Sequence, residues 1–222
     1  MKRKYPVGIE SFYDIRTGGY IYVDKTKYIY DLVDSGMYYF LSRPRRFGKS
    51  LLLSTMEEYF SGNRELFKGL AIEELESDWK SYPVLRLNLN IGDYNDPATL
   101  PSRLDCQLSI WESQYQLVPC SFTFGDRLTR IIMAAYKQTG QKVVVLVDEY
   151  EQPITDTLDN PELNQKHRDM LRGVYGCLKP LNRYLKFVFM TGVSKIGKLS
   201  VFSSLNNIQD ISFRNDYCDI CG

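Results

Sequence analysis

Phe40-Leu41-Ser42-Arg43-Pro44-Arg45-Arg46-Phe47-Gly48-Lys49-Ser50 joins a short aromatic run to a segment with helical periodicity. Upstream, Met37 to Leu41 carries no charge and reads as a buried strand. Downstream, Lys49 to Phe60 sets Leu52, Leu53 and Met56 on one face and reads as a helix. A turn of this kind, with glycine and lysine at the helix start, suits a phosphate. Gly48 lacks the Cβ that would keep successive backbone N–H groups from converging on an anion. The helix that begins there turns its unpaired N–H groups and positive dipole end toward the same anion. Lys49 supplies a point charge for β and γ phosphates, and the Ser50 hydroxyl is a ligand for Mg²⁺. The loop departs from the G-x-x-x-x-G-K-[ST] pattern in one respect: Arg43 stands where that pattern opens with glycine. Pro44 has no N–H to donate, but it lies early, before the cradle forms. By itself, Gly-Lys-Ser at a helix start is also compatible with chance.

A second stretch separates these readings. Val143-Val144-Val145-Leu146-Val147-Asp148-Glu149 is the strongest strand in the chain, and it ends in two carboxylates. Two acids at the carboxyl end of a core strand carry a desolvation cost that a cation relieves. Leaving the sheet into solvent, or capping the next helix, is the plainer alternative. The two stretches, in this order and these contexts, make up the phosphate and metal halves of a P-loop ATPase of the additional-strand (ASCE, AAA-like) class. In that class Asp148 holds Mg²⁺ through water, and Glu149 polarises the attacking water as general base. A further strand, Lys186 to Met190, inserts between the loop strand and the acidic strand. Its tip, Thr191 or else Ser194, then lies between Lys49 and Glu149 to sense the γ-phosphate or orient water; capping the next loop is the other role open to it. The expected site therefore has Glu149, Lys49 and Thr191 as catalytic residues. Arg45, Arg46, Phe47, Gly48, Lys49, Ser50 and Leu51 bind the nucleotide, and Ser50 and Asp148 hold the metal.

Working outward, Tyr20 to Val23 reads as extended, and Asp24 as the N-cap of a helix that carries Ile29, Leu32 and Val33 and stops at Gly36. Pro83 to Asn90 alternates as a strand. Leu104, Leu108, Trp111 and Tyr115 lie at helical spacing, as do Leu128, Ile131, Ile132 and Ala135, with Gly140 closing the second helix. Leu163 to Leu178 marks another helix. Strands alternating with helices, with unbroken apolar strands, predict an α/β fold whose parallel sheet is covered on both faces. Over 222 residues, 44% hydrophobic and 25% charged is the balance of a soluble globular chain. Twenty-eight basic against 27 acidic residues excludes a nucleic-acid binder acting through its whole surface. No apolar run outlasts Ile131 to Tyr136, so no membrane span is expected. Five cysteines without a signal peptide point to reduced thiols and a cytoplasmic location. Cys218-x-x-Cys221 is half a zinc site at most, and better read as two ordinary thiols. His167 is the sole histidine, which argues against histidine-based catalysis.

Gly8-Ile9-Glu10-Ser11-Phe12, Tyr22-Val23-Asp24-Lys25-Thr26, Phe40 to Ser50, Val147-Asp148-Glu149-Tyr150 and Thr191-Gly192-Val193-Ser194-Lys195 together resemble the bacterial AAA-ATPase-like family. Members of that family often carry a C-terminal PD-(D/E)XK nuclease-like domain. The form Arg-Pro-Arg-Arg-Phe-Gly-Lys-Ser is similar to the family's own loop, which accounts for the absent first glycine. The resemblance implies ATP and Mg²⁺ as cofactors, and hydrolysis to ADP and phosphate used as a conformational switch. A signalling or scaffold module with little turnover, or an inactive piece of a longer ATPase, are the alternatives. It also limits nucleic acid to contact through a missing C-terminal domain. Residues 1–36 are expected as an extension packing near the nucleotide, 37–200 as the ATPase core, and 201–222 as the start of a truncated C-terminal region. A sheet of order 5-1-4-3-2 needs a fifth strand beside the loop strand, and none is legible after Thr191. The sheet is therefore expected to be truncated after the sensor strand, leaving Tyr38 to Leu41 as an exposed edge that invites self-association. Arg43, Arg45 and Arg46 are open between extra phosphate contacts, a neighbouring subunit's nucleotide, nucleic acid and a solvated loop. Arg168 and Arg172 are weak arginine-finger candidates, with surface positions as the alternative.

Overall fold

The computed structural model describes residues 4–194, 201, 205 and 207–221. Five strands form one parallel sheet: β1 (Tyr38–Ser42), β2 (Val84–Asn88), β3 (Val143–Asp148), β4 (Leu185–Gly192) and β5 (Gln209–Asp210), in the order β2-β3-β4-β1-β5. Between and before them run α1 (Phe12–Thr17), α2 (Thr26–Ser35), α3 (Lys49–Phe60), α4 (Ala71–Leu75), α5 (Thr99–Gln114), α6 (Phe124–Thr139), α7 (Gln152–Thr155) and α8 (Pro161–Gly176). The expected α/β architecture is the observed one, with β4 inserted between β1 and β3.

Successive side chains of a strand point to opposite faces, and this sheet uses both. Phe40, Leu85, Leu87, Val145, Val147, Val188 and Met190 face a core closed by α5, α6 and α8. Their neighbours Tyr39, Leu41, Val144, Leu146, Phe187 and Phe189 face a second core that includes Ile29 and Leu32 of α2 and Leu52, Leu53 and Met56 of α3. Double-sided burial explains why these strands read as continuous apolar runs. Register places the carboxyl ends of the inner strands level: Ser42 lies beside Gly192, Val147 beside Met190, and Asn88 beside Asp148. Everything following β1, β3 and β4 thus opens at one edge of the sheet.

Asp24 and Thr26 cap two helices at once. Asp24 Oδ1 accepts from the Thr26 N–H (2.9 Å) and Oγ1 (2.7 Å) at the start of α2. Its Oδ2 accepts from the Ala71 N–H (2.7 Å), and Thr26 Oγ1 from the Ile72 N–H (3.1 Å), at the start of α4. Three helix-end N–H groups are satisfied by two side chains, so this motif joins α2 to α4. Tyr20 to Val23 forms no strand beyond one bridge between Tyr20 and Lys4.

The expectation of a sheet truncated after the sensor strand is overturned. β5 pairs in parallel with β1, Tyr39 beside Gln209 and Phe40 beside Asp210, and the Ile211 N–H donates to Phe40 O (3.0 Å). The strand lies beyond residue 200, where the core was expected to end. Its two residues are polar and at the margin of the sheet, so neither an apolar run nor an alternation announces it. With β1 paired on both sides, the exposed edge expected to drive self-association does not exist. Arg43 secures the segment after β5: its guanidinium donates to the carbonyls of Ser42 (3.2 Å), Ser212, Tyr217 (3.3 Å) and Cys218 (3.3 Å). The Ser42 N–H donates to Ser212 Oγ (2.8 Å). Ser212→Ala removes that acceptor, and is expected to lower the free energy of unfolding in urea by about 1 kcal/mol. Unchanged stability would mean that solvent satisfies the Ser42 N–H instead.

Candidate phosphate-binding site

The loop between β1 and α3 turns on two left-handed residues, Arg46 (φ 67°) and Gly48 (φ 78°). The conformation costs glycine little, and an L-residue roughly 1–2 kcal/mol. A Cβ on Gly48 would meet no protein atom within 4 Å, so the space beside it is open. Lys49 begins α3 and is 4% exposed. Its ammonium donates to Arg43 O (2.9 Å) and Pro44 O (3.0 Å) and pairs with Glu149 Oε1 (3.1 Å). An ammonium has three N–H donors, and here each has a partner.

Glu149 follows the last residue of β3 with φ 53°, a strained conformation for a residue with a Cβ. Burial raises its pKa above the ordinary value, Lys49 draws it back, and the neighbouring Asp148 pushes it up again. Asp148 is fully buried, and its Oδ1 accepts from Thr191 Oγ1 (2.7 Å). One oxygen of each acid, Asp148 Oδ2 and Glu149 Oε2, is buried and accepts no hydrogen bond. The cation near Asp148 Oδ2 is Arg86 at 3.9 Å, too far for a hydrogen bond. Arg86 is itself held by Glu57 Oε2 (2.8 Å) and Ser50 O (3.4 Å).

Beside Gly48 lies a cavity of ≈ 650 Å³ bounded by residues 7–10 on one side and the loop on the other. Arg45, Arg46, Gly48, Lys49, Ser50, Leu51 and Glu149 all reach it. Phe47 instead lines an apolar cavity across Gly48. Asp148 and Thr191 are buried without lining the larger cavity. Of the loop arginines, Arg45 donates to Gln152 Oε1 (3.4 Å), and Arg43 is turned to the segment after β5. Arg168 donates to Asn164 (2.6 Å) and Arg172 pairs with Asp169 (2.6 Å), both within α8. Buried His167 meets Pro153 O (3.0 Å) through Nδ1. Among the described residues, no group of three or more His, Cys, Asp or Glu side chains is placed to hold a metal. A hard cation that keeps several waters needs no such group, and the Ser50 hydroxyl and the unsatisfied Asp148 oxygen suit it.

Sequence reading missed Glu151. It is 1% exposed, and its Oε1 accepts from the N–H groups of Val193 (2.6 Å) and Ser194 (2.7 Å), which fixes the turn after β4. A Cβ at Gly192 would collide with the Glu151 carboxylate, so glycine is required for this approach. Nothing periodic marks Glu151 or Gly192.

The family described as "Predicted AAA-ATPase" matches residues 6–202. A protein of Azotobacter chroococcum mcd 1, described as "Uncharacterized protein in vnfD 5'region", is 42% identical over 223 residues. That alignment covers 100% of this chain and 43% of the relative, so the chain spans less than half of that protein's length. No solved structure matches. Among the described residues, no helix is long and apolar enough to cross a membrane.

Burial raises the Glu151 carboxyl to about 7, against the pull of the Ser194 and Val193 N–H groups and with a push from Glu149. Between its unfolded value of 4.5 and about 7, the folded chain holds a proton that the unfolded chain has released. Stability from this group therefore falls as pH rises through that window, and the penalty is complete above it. Urea titrations at about pH 5 and about pH 8 should show this slope, and Glu151→Gln should flatten it while raising stability at the higher pH. An unaltered slope in the variant would assign the proton to another group.

Proposed function

The chain belongs to the AAA-ATPase-like family of predicted AAA-ATPases, and on that footing we propose that it binds Mg·ATP at the 43–50 loop and hydrolyses it to ADP and phosphate. The observation that carries this reading is the buried carboxylate pair of β3. Asp148 and Glu149 each keep one oxygen without a hydrogen bond, and Glu149 pairs with Lys49 and lines a cavity of ≈ 650 Å³. A buried polar group left unsatisfied costs about 1–3 kcal/mol, and more when charged; a cation with its waters offsets that cost. In this reading the backbone N–H groups of residues 46–50 and the first turn of α3 receive the phosphates. Ser50 and Asp148 would hold Mg²⁺, which when bound would supply neutralisation of phosphate charge.

Lys49 has every donor engaged, so it reaches a phosphate oxygen only by giving up a loop carbonyl or Glu149. A γ-phosphate that draws the ammonium away releases the Glu149 carboxylate next to it. Burial makes that carboxylate a stronger proton acceptor than an ordinary glutamate. Thr191, committed to Asp148 at 2.7 Å, acts as a positioning residue for the metal ligand. The same exchange supports use of hydrolysis as a switch. Lys49 holds the Arg43 and Pro44 carbonyls, and the Arg43 side chain holds the carbonyls of Ser212, Tyr217 and Cys218, so a shift of the ammonium would reach that segment through Arg43. The Lys49–Glu149 pair also favours a second reading, a module that binds ATP and turns over little, if the pair survives with nucleotide in place.

Glu149→Gln is expected to bind Mg·ATP at near-normal affinity and to lose roughly two or more orders of magnitude in turnover. Wild-type binding without turnover would favour the second reading. Lys49→Ala should abolish measurable binding in a direct titration. Because Lys49 is also the buried partner of Glu149, the double variant Lys49→Ala/Glu149→Gln separates a folding defect from a binding one. Undiminished affinity in a folded double variant would sink the phosphate-site assignment.

A further inference from the structure

We propose that Arg86 is a positioning residue that serves as the resident counter-cation of Asp148, and that it makes binding of a divalent metal at this acid depend on the nucleotide. This deepens the phosphate-site reading and rests on it. Strand alternation puts the two side chains together. β2 and β3 run in parallel with Arg86 beside Leu146 and Asn88 beside Asp148. Arg86 and Asp148 therefore lie on one face of the sheet as diagonal neighbours, within reach of a long side chain. The same face is covered by α3, which brings Ser50 and Glu57 to the guanidinium.

The distances give the arrangement its meaning. Asp148 Oδ2 is buried and accepts no hydrogen bond, and the Arg86 guanidinium stands 3.9 Å from it. At that separation the charge still acts on the carboxylate, but no N–H occupies the oxygen's lone pairs. Two partners hold the guanidinium back: Glu57 Oε2 at 2.8 Å and Ser50 O at 3.4 Å. Asp148 is thus balanced in charge and still open to coordination. A tie between β2 and α3 alone accounts for the Glu57 and Ser50 contacts. It leaves the approach of a third group, a buried and unsatisfied carboxylate, without a reason.

The charges around the acid pair set the consequence. Lys49 pairs with Glu149 at 3.1 Å and Arg86 faces Asp148, so each acid has its own cation. A divalent ion arriving alone meets two fixed positive charges and an acid that is already balanced. Phosphates add negative charge on the cavity side, where Lys49 and Ser50 reach them. Metal and nucleotide then each raise the affinity for the other, and this coupling is reciprocal. Arginine suits the role, because its guanidinium keeps its proton at every working pH and is held in one plane by its two hydrogen bonds.

Titration of the whole chain with Mn²⁺, followed by the electron paramagnetic resonance of the free ion, tests this with and without ADP. Arg86→Met keeps the stem and drops the charge; without nucleotide it should bind Mn²⁺ at least about tenfold more tightly than the wild type. Asp148→Asn in that background should abolish the gain, and Arg86→Lys, which keeps the charge, should show none. Loss of a merely structural contact would lower metal affinity rather than raise it. Glu57→Ala frees the guanidinium to hydrogen-bond Asp148, and should weaken Mn²⁺ binding in the presence of ADP at least about threefold. No gain in a folded Arg86→Met, a gain shared by Arg86→Lys, or a gain that survives Asp148→Asn would each overturn the proposal while leaving the phosphate site standing. Should Arg86→Met fail to fold, Glu57→Ala decides: Mn²⁺ binding as tight as in the wild type, or tighter, overturns it. A wild type that binds ADP neither with nor without Mn²⁺ would overturn the phosphate-site reading, and the coupling of metal to nucleotide with it.

Discussion

The buried ammonium of Lys49 is the contact on which the site depends. It joins three pieces of chain: the carbonyls at the start of the loop, the helix that carries it, and the acid at the end of β3. β4 lies between β1 and β3, so the two strands it connects are separated by roughly 10 Å of sheet. Only a long side chain starting at the head of α3 crosses that gap. A charge taken out of water is tolerated when its partners are complete, and removal of one partner leaves the other uncompensated. The left-handed conformations of Arg46 and Glu149 stand at either end of this bridge. Their local cost is offset by the burial and pairing it makes possible.

The inserted strand supplies the second layer of control. Thr191 holds Asp148 from beneath, and the turn beyond it is gripped by Glu151 through two backbone N–H groups. Acids from the end of β3 and donors from the end of β4 are thus interlocked, which keeps Asp148 and Glu149 in fixed orientation. The glycine at 192 belongs to the same lock, since any side chain there would displace the Glu151 carboxylate.

The third constraint is the short β5. Two residues of pairing would be a weak strand by themselves. What stabilises it is the set of anchors around it: Arg43 on three carbonyls beyond it, Ser212 on the Ser42 N–H, and Ile211, Tyr217 and Ile220 in the core under α2 and α3. Arginine in place of the customary first loop glycine is explained here. Position 43 does not adopt a left-handed conformation, so no glycine is needed, and its side chain has structural work elsewhere.

Local pattern determined much of this protein from the sequence alone. Lys49 to Phe60 was expected as a helix and is α3, and Val143 to Val147 falls within β3, because periodicity and unbroken apolar runs report burial directly. The candidate phosphate loop was legible for the same reason: its residue types, spacing and flanking elements are contiguous. What remained hidden depends on residues far apart in the chain. The Arg43 bonds span 169 to 175 positions, and the pairing of β1 with Gln209–Asp210 has no hydrophobic signature. Glu151 reads as one more surface acid until the fold buries it under Gly192. The sequence alone determined the principal strands and helices and the position of the candidate loop between β1 and α3. Only the tertiary structure decided the partners of Lys49, Arg43 and Glu151, since a polar side chain's contacts depend on which distant backbone the topology brings within hydrogen-bond reach.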